Sequence, residues 1–317
     1  MTRGKRNQAP AIEVRLLREG IVESTHSAQA VLCDERGRVL SVAGNSETSA
    51  FIRSALKPFQ ALAVTTTGTL ERYSLNDRDL AIICSSHRGN LEQVRQVFKI
   101  LWRCDIDPSA LQCPIPSGKQ SPLEYNCSGK HAGMLAVCQQ RNWPVSSYLQ
   151  YNHPVQKLIL AQVAELMRMP AQELILAHDD CGAPTYFLQL GQMGSLYAQL
   201  ASGDNLAMER IVRAMTHHPT LVAGEGEFDT ELMRLTNGEV VSKAGAEGIQ
   251  CIGQVGMGLG MVIKVMDGAK RAKSAVAIQL LKQMGWISPS VAETLAESFM
   301  TLGEFKRLEV IGELSML

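Results

Sequence analysis

The chain has 317 residues, of which 45% are hydrophobic and 20% are charged. This composition is typical of a globular protein with a sizeable core, and it excludes an intrinsically disordered chain. The 31 Lys and Arg residues balance the 31 Asp and Glu residues, so there is no basic field to hold a polyanion, and nucleic acid is not an expected partner.

The eight cysteines are spread along the chain without a Cys-x-x-Cys pair, and no apolar run of the signal-peptide kind follows Met1. This pattern favours reduced thiols in the cytosol. No stretch approaches the roughly 20 apolar residues that a membrane-spanning helix needs. We therefore expect a cytoplasmic protein that does not insert into a membrane.

Strand patterns occur at both ends of the chain, and helical patterns fill its middle. The predicted strands are Ile12–Leu17, Ser27–Cys33, Val39–Val42, Glu239–Ser242, Gly248–Gly253 and Gly260–Val265. One predicted helix begins at Ser54, and the others are Asn90–Trp102, Pro154–Met169, Pro184–Leu200, Leu206–His217, Thr230–Leu235, Arg271–Met284 and Val291–Met300. This order predicts an α+β fold in which both terminal regions build one antiparallel sheet around an inserted helical subdomain.

The predicted organisation is a single domain over residues 1–317. We expect a sheet subdomain from about 10–66 and 220–317, and a helical subdomain from about 67–219.

The first candidate for chemistry is Ser54-Ala55-Leu56-Lys57, at the start of a predicted helix. Residues three apart share one face of a helix, so the amine of Lys57 can reach the hydroxyl of Ser54. A lysine shielded from water loses basicity and can accept the serine proton, which gives a nucleophile without a histidine. The simpler interpretation of the motif is a serine N-cap followed by a surface lysine.

A second signal supports the chemical interpretation. Serine hydrolases of the β-lactamase type pair a helix-borne Ser-x-x-Lys with a strand that carries Lys-Thr-Gly or Lys-Ser-Gly. Lys243-Ala244-Gly245 is a loose version of that strand motif. Because Ala244 lacks the hydroxyl and no Ser-Asp-Asn triplet is present, a penicillin-directed enzyme is not the first expectation.

Three segments combine polar residues with glycines between apolar elements: Cys84 to Gly89, Asn126 to Gly133, and His178 to Gly182. Each segment alone is typical of a turn or a capped helix start. Their joint occurrence favours function, because reactive groups often lie on loops between rigid elements.

Five motifs occur in one order along the chain: Arg53-Ser54-Ala55-x-Lys57-Pro58-x-Gln60, Ser86-His87, Asn126-Cys127-Ser128-Gly129-Lys130-His131-Ala132-Gly133, Asp179-x-Cys181-Gly182-x-Pro184, and Lys243-x-Gly245-Ala246-Glu247-Gly248. Together they resemble the L-asparaginase II family, the rhizobial-type asparaginases, from about Val14 to Asp267. The resemblance implies a fold like that of serine β-lactamases and glutaminases. It also implies a homodimer that hydrolyses the side-chain amide of L-asparagine to aspartate and ammonia.

The resemblance implies two serine–lysine pairs in the active site. They map to Ser54 with Lys57 and to Ser86 with Lys243. Our working hypothesis is that Lys57 deprotonates Ser54, which attacks the amide carbon, while Ser86 and Lys243 relay a proton to ammonia or activate water. Which serine becomes acylated stays open, because each lies beside a lysine.

The family also has a zinc site of two cysteines and a lysine, which maps to Cys127, Lys130 and Cys181. Sequence spacing alone does not define such a site, because the two cysteines are far apart and buried free cysteine is common. In this interpretation zinc modulates the enzyme and helps to hold the substrate. His131, next to Lys130, is a candidate to support the metal site or to contact the substrate.

Further substrate contacts are expected from charged groups. Asp179 is a candidate to bind the α-ammonium group, and Arg53 or Lys243 the α-carboxylate. Glu247, in the last motif, completes the candidate binding residues.

One position departs from the family pattern, since Glu227 stands where relatives often carry arginine. This leaves the substrate preference open. The alternatives are a glutaminase, a β-lactamase-like esterase or peptidase, and a non-catalytic homologue that binds amino acids or a partner protein.

Overall fold

A computed structural model describes residues 8–317 of the chain. The strands are β1 (Gln8–Ala9), β2 (Ile12–Arg18), β3 (Ile21–Asp34), β4 (Val39–Asn45), β5 (Ser49–Phe51), β6 (Ile175–His178), β7 (Pro184–Gln189), β8 (Val240–Ala244), β9 (Ile249–Gln254), β10 (Leu259–Val265), β11 (Lys306–Ile311) and β12 (Ser315–Met316). The helices are α1 (Lys57–Gln60), α2 (Leu62–Thr66), α3 (Thr69–Arg72), α4 (Asp77–Ile83), α5 (Leu91–Arg103), α6 (Ser128–Arg141), α7 (Pro154–Leu166), α8 (Leu190–Ala201), α9 (Leu206–His217), α10 (Pro219–Val222), α11 (Phe228–Leu235), α12 (Lys270–Gln283) and α13 (Pro289–Phe299). Among residues 8–317, no helix is both long enough and apolar enough to cross a membrane.

The chain divides into two compact units. Unit 1 comprises the residues up to Ala55 together with Leu188–Asp204 and Glu231–Leu317, and unit 2 comprises Leu56–Phe187 and Asn205–Thr230. These bounds differ from the expected subdomains, because α8 belongs to the sheet-bearing unit 1. The segments 56–66 and 220–230 instead belong to unit 2.

Unit 1 is built on an antiparallel sheet in which strands from both terminal regions are direct neighbours. The order is β1-β4-β3-β10-β9-β8, with β2 beside β3, β11 beside β2, and β12 beside β4. Strand β10 pairs with β3 from Leu259 opposite Asp34 to Val265 opposite Ala28. This arrangement confirms the predicted α+β class with a sheet assembled from both ends of the chain.

Glycines let helix α8 lie very close to this sheet. A Cβ atom on Gly260 would come within 2.1 Å of the Gly194 carbonyl oxygen, and one on Gly253 within 2.8 Å of the Tyr197 carbonyl oxygen. Such distances leave no room for a side chain. The close packing explains why α8 joins unit 1, although it follows the helical middle of the chain.

Unit 2 is mainly helical, and its core joins α4, α5, α6 and α9. Gly129 at the start of α6 packs on the last turn of α4, where a Cβ atom would lie 1.9 Å from the Ile82 carbonyl oxygen. Asp79 in α4 is fully buried and accepts from Arg103 of α5 at 2.7 Å. These contacts fix the helices on both sides of the segment that follows α4.

The predicted helix Pro184–Leu200 is wrong in its first part. Residues Pro184–Gln189 form β7, and the helix begins only at Leu190. Strand β7 pairs with β6, from Ile175 opposite Phe187 to His178 opposite Pro184. The run Thr185 to Phe187 is rich in β-prone residues, and pairing with β6 overrides its helical spacing.

Candidate active site

The structure distributes the predicted site residues over both units. Unit 1 carries Arg53, Ser54, Lys243 and Glu247, and unit 2 carries Lys57, Ser86, Cys127, Lys130, His131, Asp179 and Cys181.

Lys57 begins α1, directly after a 3₁₀ turn over Arg53–Leu56. Its side chain is fully buried. The Nζ atom donates to the Ser85 carbonyl oxygen at 2.5 Å and to Ser86 Oγ at 2.9 Å. A buried amine in contact with a serine hydroxyl is the arrangement that lets a lysine exchange a proton with a serine nucleophile.

This contact differs from the pairing inferred from the family resemblance. That pairing set Lys57 beside Ser54, whereas the serine that accepts its hydrogen bond here is Ser86. Sequence spacing could suggest only the Ser-x-x-Lys pair, because Ser86 lies 29 residues further along the chain. Its proximity to Lys57 depends on how α4 packs in unit 2.

The loop that carries Ser86 is held from two sides. The Ser86 N–H donates to the Val222 carbonyl oxygen at 2.8 Å, and the His87 N–H donates to the Asn126 carbonyl oxygen at 3.1 Å. Arg88 forms an ion pair with Glu227. Both neighbouring segments therefore restrict the position of the serine.

Histidine 87 adds a side-chain anchor within the same loop. The Gly89 N–H donates to His87 Nδ1 at 3.0 Å, so the proton of the neutral ring sits on Nε2, which contacts Ser128 Oγ at 2.8 Å. The Ser128 hydroxyl donates onward to the Leu123 carbonyl oxygen at 2.8 Å. Burial, together with the positive charge of Lys57, lowers the pKa of His87 to about 3 and keeps the ring neutral.

A second cluster joins the start of α6 to the turn after β6. Cys127 precedes α6, and Lys130 lies in its first turn. Cys181 reaches the cluster from a tight turn in which Gly182 has a φ of 81°. The Lys130 Nζ atom donates to Cys181 Sγ at 3.0 Å, and the Cys127 side chain has the largest influence on the pKa of Cys181.

The pKa values of Cys127 and Cys181 shift in opposite directions. The hydrogen bond from Cys127 and the Lys130 charge lower the pKa of Cys181 to about 5, although burial opposes the shift. The same hydrogen bond and burial raise the pKa of Cys127 to about 12. Burial works against a charged Lys130 amine, but the neighbouring cysteines raise its pKa above the ordinary value. These shifts favour a thiolate at Cys181, a thiol at Cys127 and a protonated amine at Lys130.

This donor set fits zinc. Thiolate sulfur and neutral nitrogen are the ligands that Zn²⁺ prefers, and Cys181 already provides a thiolate. Cys127 and Lys130 would each have to release a proton on binding, which makes affinity depend on pH. Within residues 8–317, no three His, Cys, Asp or Glu side chains form a metal-binding group, so the fit depends on the lysine amine as the third donor.

Asp179 and His131 lie within electrostatic range of this cluster. The Asp179 charge acts on both Lys130 and His131. His131 is completely buried, and its Nδ1 atom lies 2.6 Å from the Tyr148 hydroxyl oxygen. Burial, reinforced by the Lys130 charge, lowers the pKa of His131 to about 3. A carboxylate and a neutral imidazole therefore lie close to the buried cluster.

In unit 1, the residues after β8 pack beside the 3₁₀ turn. A Cβ atom on Gly245 would lie 2.8 Å from the Ile52 carbonyl oxygen, so the turn after Lys243 approaches the segment that leads into Arg53 and Ser54. The Lys243 side chain is fully buried, and its Nζ atom donates to the Ala244 carbonyl oxygen at 2.8 Å.

Glu247 is exposed and adopts a positive φ of 56°. Its carboxylate lies against Gly268, where a Cβ atom would be 2.8 Å from Glu247 Oε2.

Sequence reasoning missed several residues that complete these arrangements. Ser128 binds His87, and Tyr148 binds His131. The charges of Cys127 and Cys181 contribute to the raised pKa of Cys113, after burial. Tyr148 and Cys113 lie outside the motifs, so only the fold brings them to the site.

A family comparison decides the relationship that the motifs suggested. A model of the family described as L-asparaginase II matches residues 14–316. The chain belongs to the L-asparaginase II family. This membership confirms the resemblance. A comparison with curated proteins finds no significant match.

Two of the solved structures that this chain matches share little sequence with it. A β-lactamase from Mycobacterium bovis has 12% identity and a TM-score of 0.46, over 86% of this chain and 95% of that chain. The native form of Mglu has 14% identity and a TM-score of 0.43, over 82% of this chain. The match spans 61% of the length of that Mglu chain.

Proposed function

We propose that this family member is an L-asparaginase that converts L-asparagine to L-aspartate and ammonia by serine–lysine catalysis. The observation that carries the proposal is the hydrogen bond from the fully buried Lys57 amine to Ser86 Oγ, which is partly exposed. A lysine sealed from water beside a serine has little structural purpose, because burying its charge costs free energy. The pair provides both a proton acceptor and a nucleophile.

The chemical steps follow from this contact. Lys57, once neutral, accepts the Ser86 hydroxyl proton while keeping an N–H bond to the Ser85 carbonyl oxygen. The serine oxygen bonds to the carboxamide carbon, and the proton passes from Lys57 to the departing nitrogen, which leaves as ammonia. A water molecule then attacks the acyl group, restores the Ser86 hydroxyl and releases aspartate.

The roles that the family motifs suggest for residues of unit 1 remain proposals. Ser54 is the second candidate nucleophile, and Lys243 the second lysine. Arg53 and Glu247 stay candidate substrate contacts, as do Asp179 and His131 in unit 2. The homodimer also stays a prediction, which light scattering of the purified protein would test.

The experiment that tests the reaction compares ammonia release from L-asparagine and L-glutamine with nitrocefin hydrolysis. L-Asparagine should be the preferred substrate. Replacing Ser86 by alanine or Lys57 by methionine should lower kcat by about 10²–10⁴-fold. The exposed residues Ser109 and Lys99 supply the matched controls Ser109→Ala and Lys99→Met, which should retain wild-type kcat.

Two outcomes would contradict the proposal. Binding of L-asparagine without ammonia production would instead favour a non-catalytic homologue. If Ser86→Ala keeps near-normal ammonia release while Ser54→Ala abolishes it, the nucleophile is Ser54, and mass spectrometry of the trapped acyl-enzyme would locate the acyl group.

We further propose that Cys127, Lys130 and Cys181 bind zinc, which would supply a Lewis-acid centre that helps to hold the substrate. Elemental analysis of the purified protein should find zinc, and Cys127→Ser or Cys181→Ser should lose it. Cys104→Ala is the control, because Cys104 is a buried cysteine of unit 2 that contributes no ligand to the proposed site. Equal zinc content in all four proteins would contradict the site.

A further inference from the structure

His131 and Tyr148 form a buried pair that is joined by a hydrogen bond. Both side chains have no exposed surface. Their rings meet edge to face, with centroids 5.6 Å apart. His131 Nδ1 lies 2.6 Å from the Tyr148 hydroxyl oxygen, which also accepts the Gln112 N–H at 3.0 Å.

Two proton arrangements are conceivable for this chain of contacts. If Tyr148 donates to His131 Nδ1, the hydroxyl proton has an acceptor, and the neutral ring carries its own proton on Nε2. If His131 Nδ1 donates to Tyr148 instead, neither His131 nor the Gln112 N–H can accept the hydroxyl proton, and the lone pair on Nε2 has no donor within the described residues. The first arrangement leaves one buried group unpaired and the second leaves two, so the first is favoured.

The remaining polar atom is His131 Nε2, which is buried and has no hydrogen-bond partner within the described residues. A buried N–H without an acceptor is costly, so such a group usually marks a position where a ligand or water binds. The charges of Lys130, Lys57 and Asp179 act on this ring. His131 therefore lies near both the serine–lysine pair and the cysteine cluster.

We propose that Tyr148 is a positioning residue that holds His131 as the Nε2–H tautomer, so that this nitrogen donates a hydrogen bond to an oxygen of the bound amino-acid substrate. The identity of the ligand rests on the proposed function, whereas the tautomer does not. Tyr148 acts through His131 and makes no contact with the reacting atoms.

The tautomer is measured directly by long-range proton–nitrogen correlation on the full chain labelled with ¹⁵N-histidine. His131→Gln identifies the His131 signal by its loss. In the wild-type protein the protonated ring nitrogen should be Nε2. In Tyr148→Phe the proton should redistribute towards Nδ1, because nothing then donates to that atom.

Two other histidines serve as internal references in the same spectrum. His153 Nδ1 accepts the Val155 N–H at 3.2 Å and His153 Nε2 lies 2.9 Å from the Pro144 carbonyl oxygen. His87 Nδ1 accepts the Gly89 N–H. Both rings should show the Nε2–H tautomer in the wild-type protein and in Tyr148→Phe.

Kinetics test the contact with substrate. Tyr148→Phe should raise the KM for L-asparagine about tenfold, with a smaller change in kcat, because one hydrogen bond to the substrate is lost. Tyr73→Phe, which changes a partly exposed tyrosine of unit 2, should leave KM unchanged.

The outcomes separate the two proposals. An Nδ1–H tautomer in the wild-type protein, or an unchanged tautomer in Tyr148→Phe, overturns the role of Tyr148. An unchanged KM in Tyr148→Phe overturns the donation to substrate. If the protein releases no ammonia from L-asparagine, the proposed function fails, while the substrate-free spectrum still decides the role of Tyr148.

Discussion

His87 Nε2 donates to Ser128 Oγ over 2.8 Å, and this contact joins the loop that carries Ser86 to the first turn of α6. The same turn follows Cys127 and contains Lys130. Together with the hydrogen bond from the His87 N–H to the Asn126 carbonyl oxygen, this buried contact connects the serine–lysine pair to the cysteine cluster. His87 contacts Ser128, Gly89 and Asn126 rather than the serine–lysine pair or the sulfur atoms, so its effect on catalysis would be positional.

The first prediction concerns a variant that lacks the hydrogen bond between His87 and Ser128. His87→Ala should lower kcat about tenfold, because the loop loses a side-chain anchor and holds Ser86 less firmly beside Lys57. The free energy of unfolding should fall by about 1–3 kcal/mol, since Ser128 loses a buried partner. Steady-state kinetics and urea denaturation measure the two effects. His217→Ala, at an exposed histidine, is the control.

A double-mutant cycle shows whether the hydrogen bond itself is responsible. If His87 and Ser128 act as one unit, the double variant His87→Ala with Ser128→Ala should lose little more than either single variant. Fully additive losses in kcat would contradict the connection.

The second prediction concerns the Cys181 thiolate in metal-free protein. Its pKa of about 5 lies below the ordinary value of 9.0, so the folded state favours the thiolate. The resulting stabilisation is fully present above pH 9 and is lost as the pH falls through about 5. Ultraviolet thiolate absorbance should therefore disappear with a midpoint near pH 5.

A matched pair of variants assigns that signal. Cys181→Ser should lack the transition. Cys138→Ala should retain it, because burial raises the pKa of Cys138 to about 12 and this thiol stays protonated throughout. A transition near pH 5 that survives in Cys181→Ser would mean that another group titrates there.

The sequence shows the residue types of the candidate site more clearly than the contacts between them. The types and positions of Lys57, Ser86, Cys127 and Cys181 are visible in short motifs, because local loops present them. The contact of Lys57 with Ser86 depends on the packing of α4, which short motifs do not encode. Tyr148 likewise reaches His131 only through the fold of unit 2.

The fold, too, is predicted from the sequence in some elements and missed in others. The antiparallel sheet from both chain ends follows from strand patterns, and helix α9 was predicted with its observed bounds, Leu206–His217. Helix α6 is not predicted from the sequence, because the glycine and polar residues of its first turn are typical of a loop. Packing explains that turn, since Gly129 is the residue that fits against the Ile82 carbonyl group.

The third prediction concerns Glu227, which stands where relatives often carry arginine. Its partner Arg88 is 59% exposed, so the ion pair should contribute only about 0–1 kcal/mol to stability. Glu227→Gln should nevertheless change the ratio of asparagine to glutamine turnover, because Arg88 lies two residues after Ser86. The exposed Glu225 gives the control Glu225→Gln. Identical substrate ratios in both variants would rule out a role for Glu227 in specificity.

The fourth prediction concerns the contact between α4 and α6. Gly129→Ala would place a Cβ atom 1.9 Å from the Ile82 carbonyl oxygen, so one helix must shift. We expect the free energy of unfolding to fall by about 3 kcal/mol, as measured by urea denaturation. Gly191→Ala in α8 is the matched control, because its new Cβ atom would meet Val39 at 3.4 Å, an ordinary contact. The displacement should also lower kcat, since α4 leads into the Ser86 loop; wild-type stability of Gly129→Ala would show that the helices do not pack this closely.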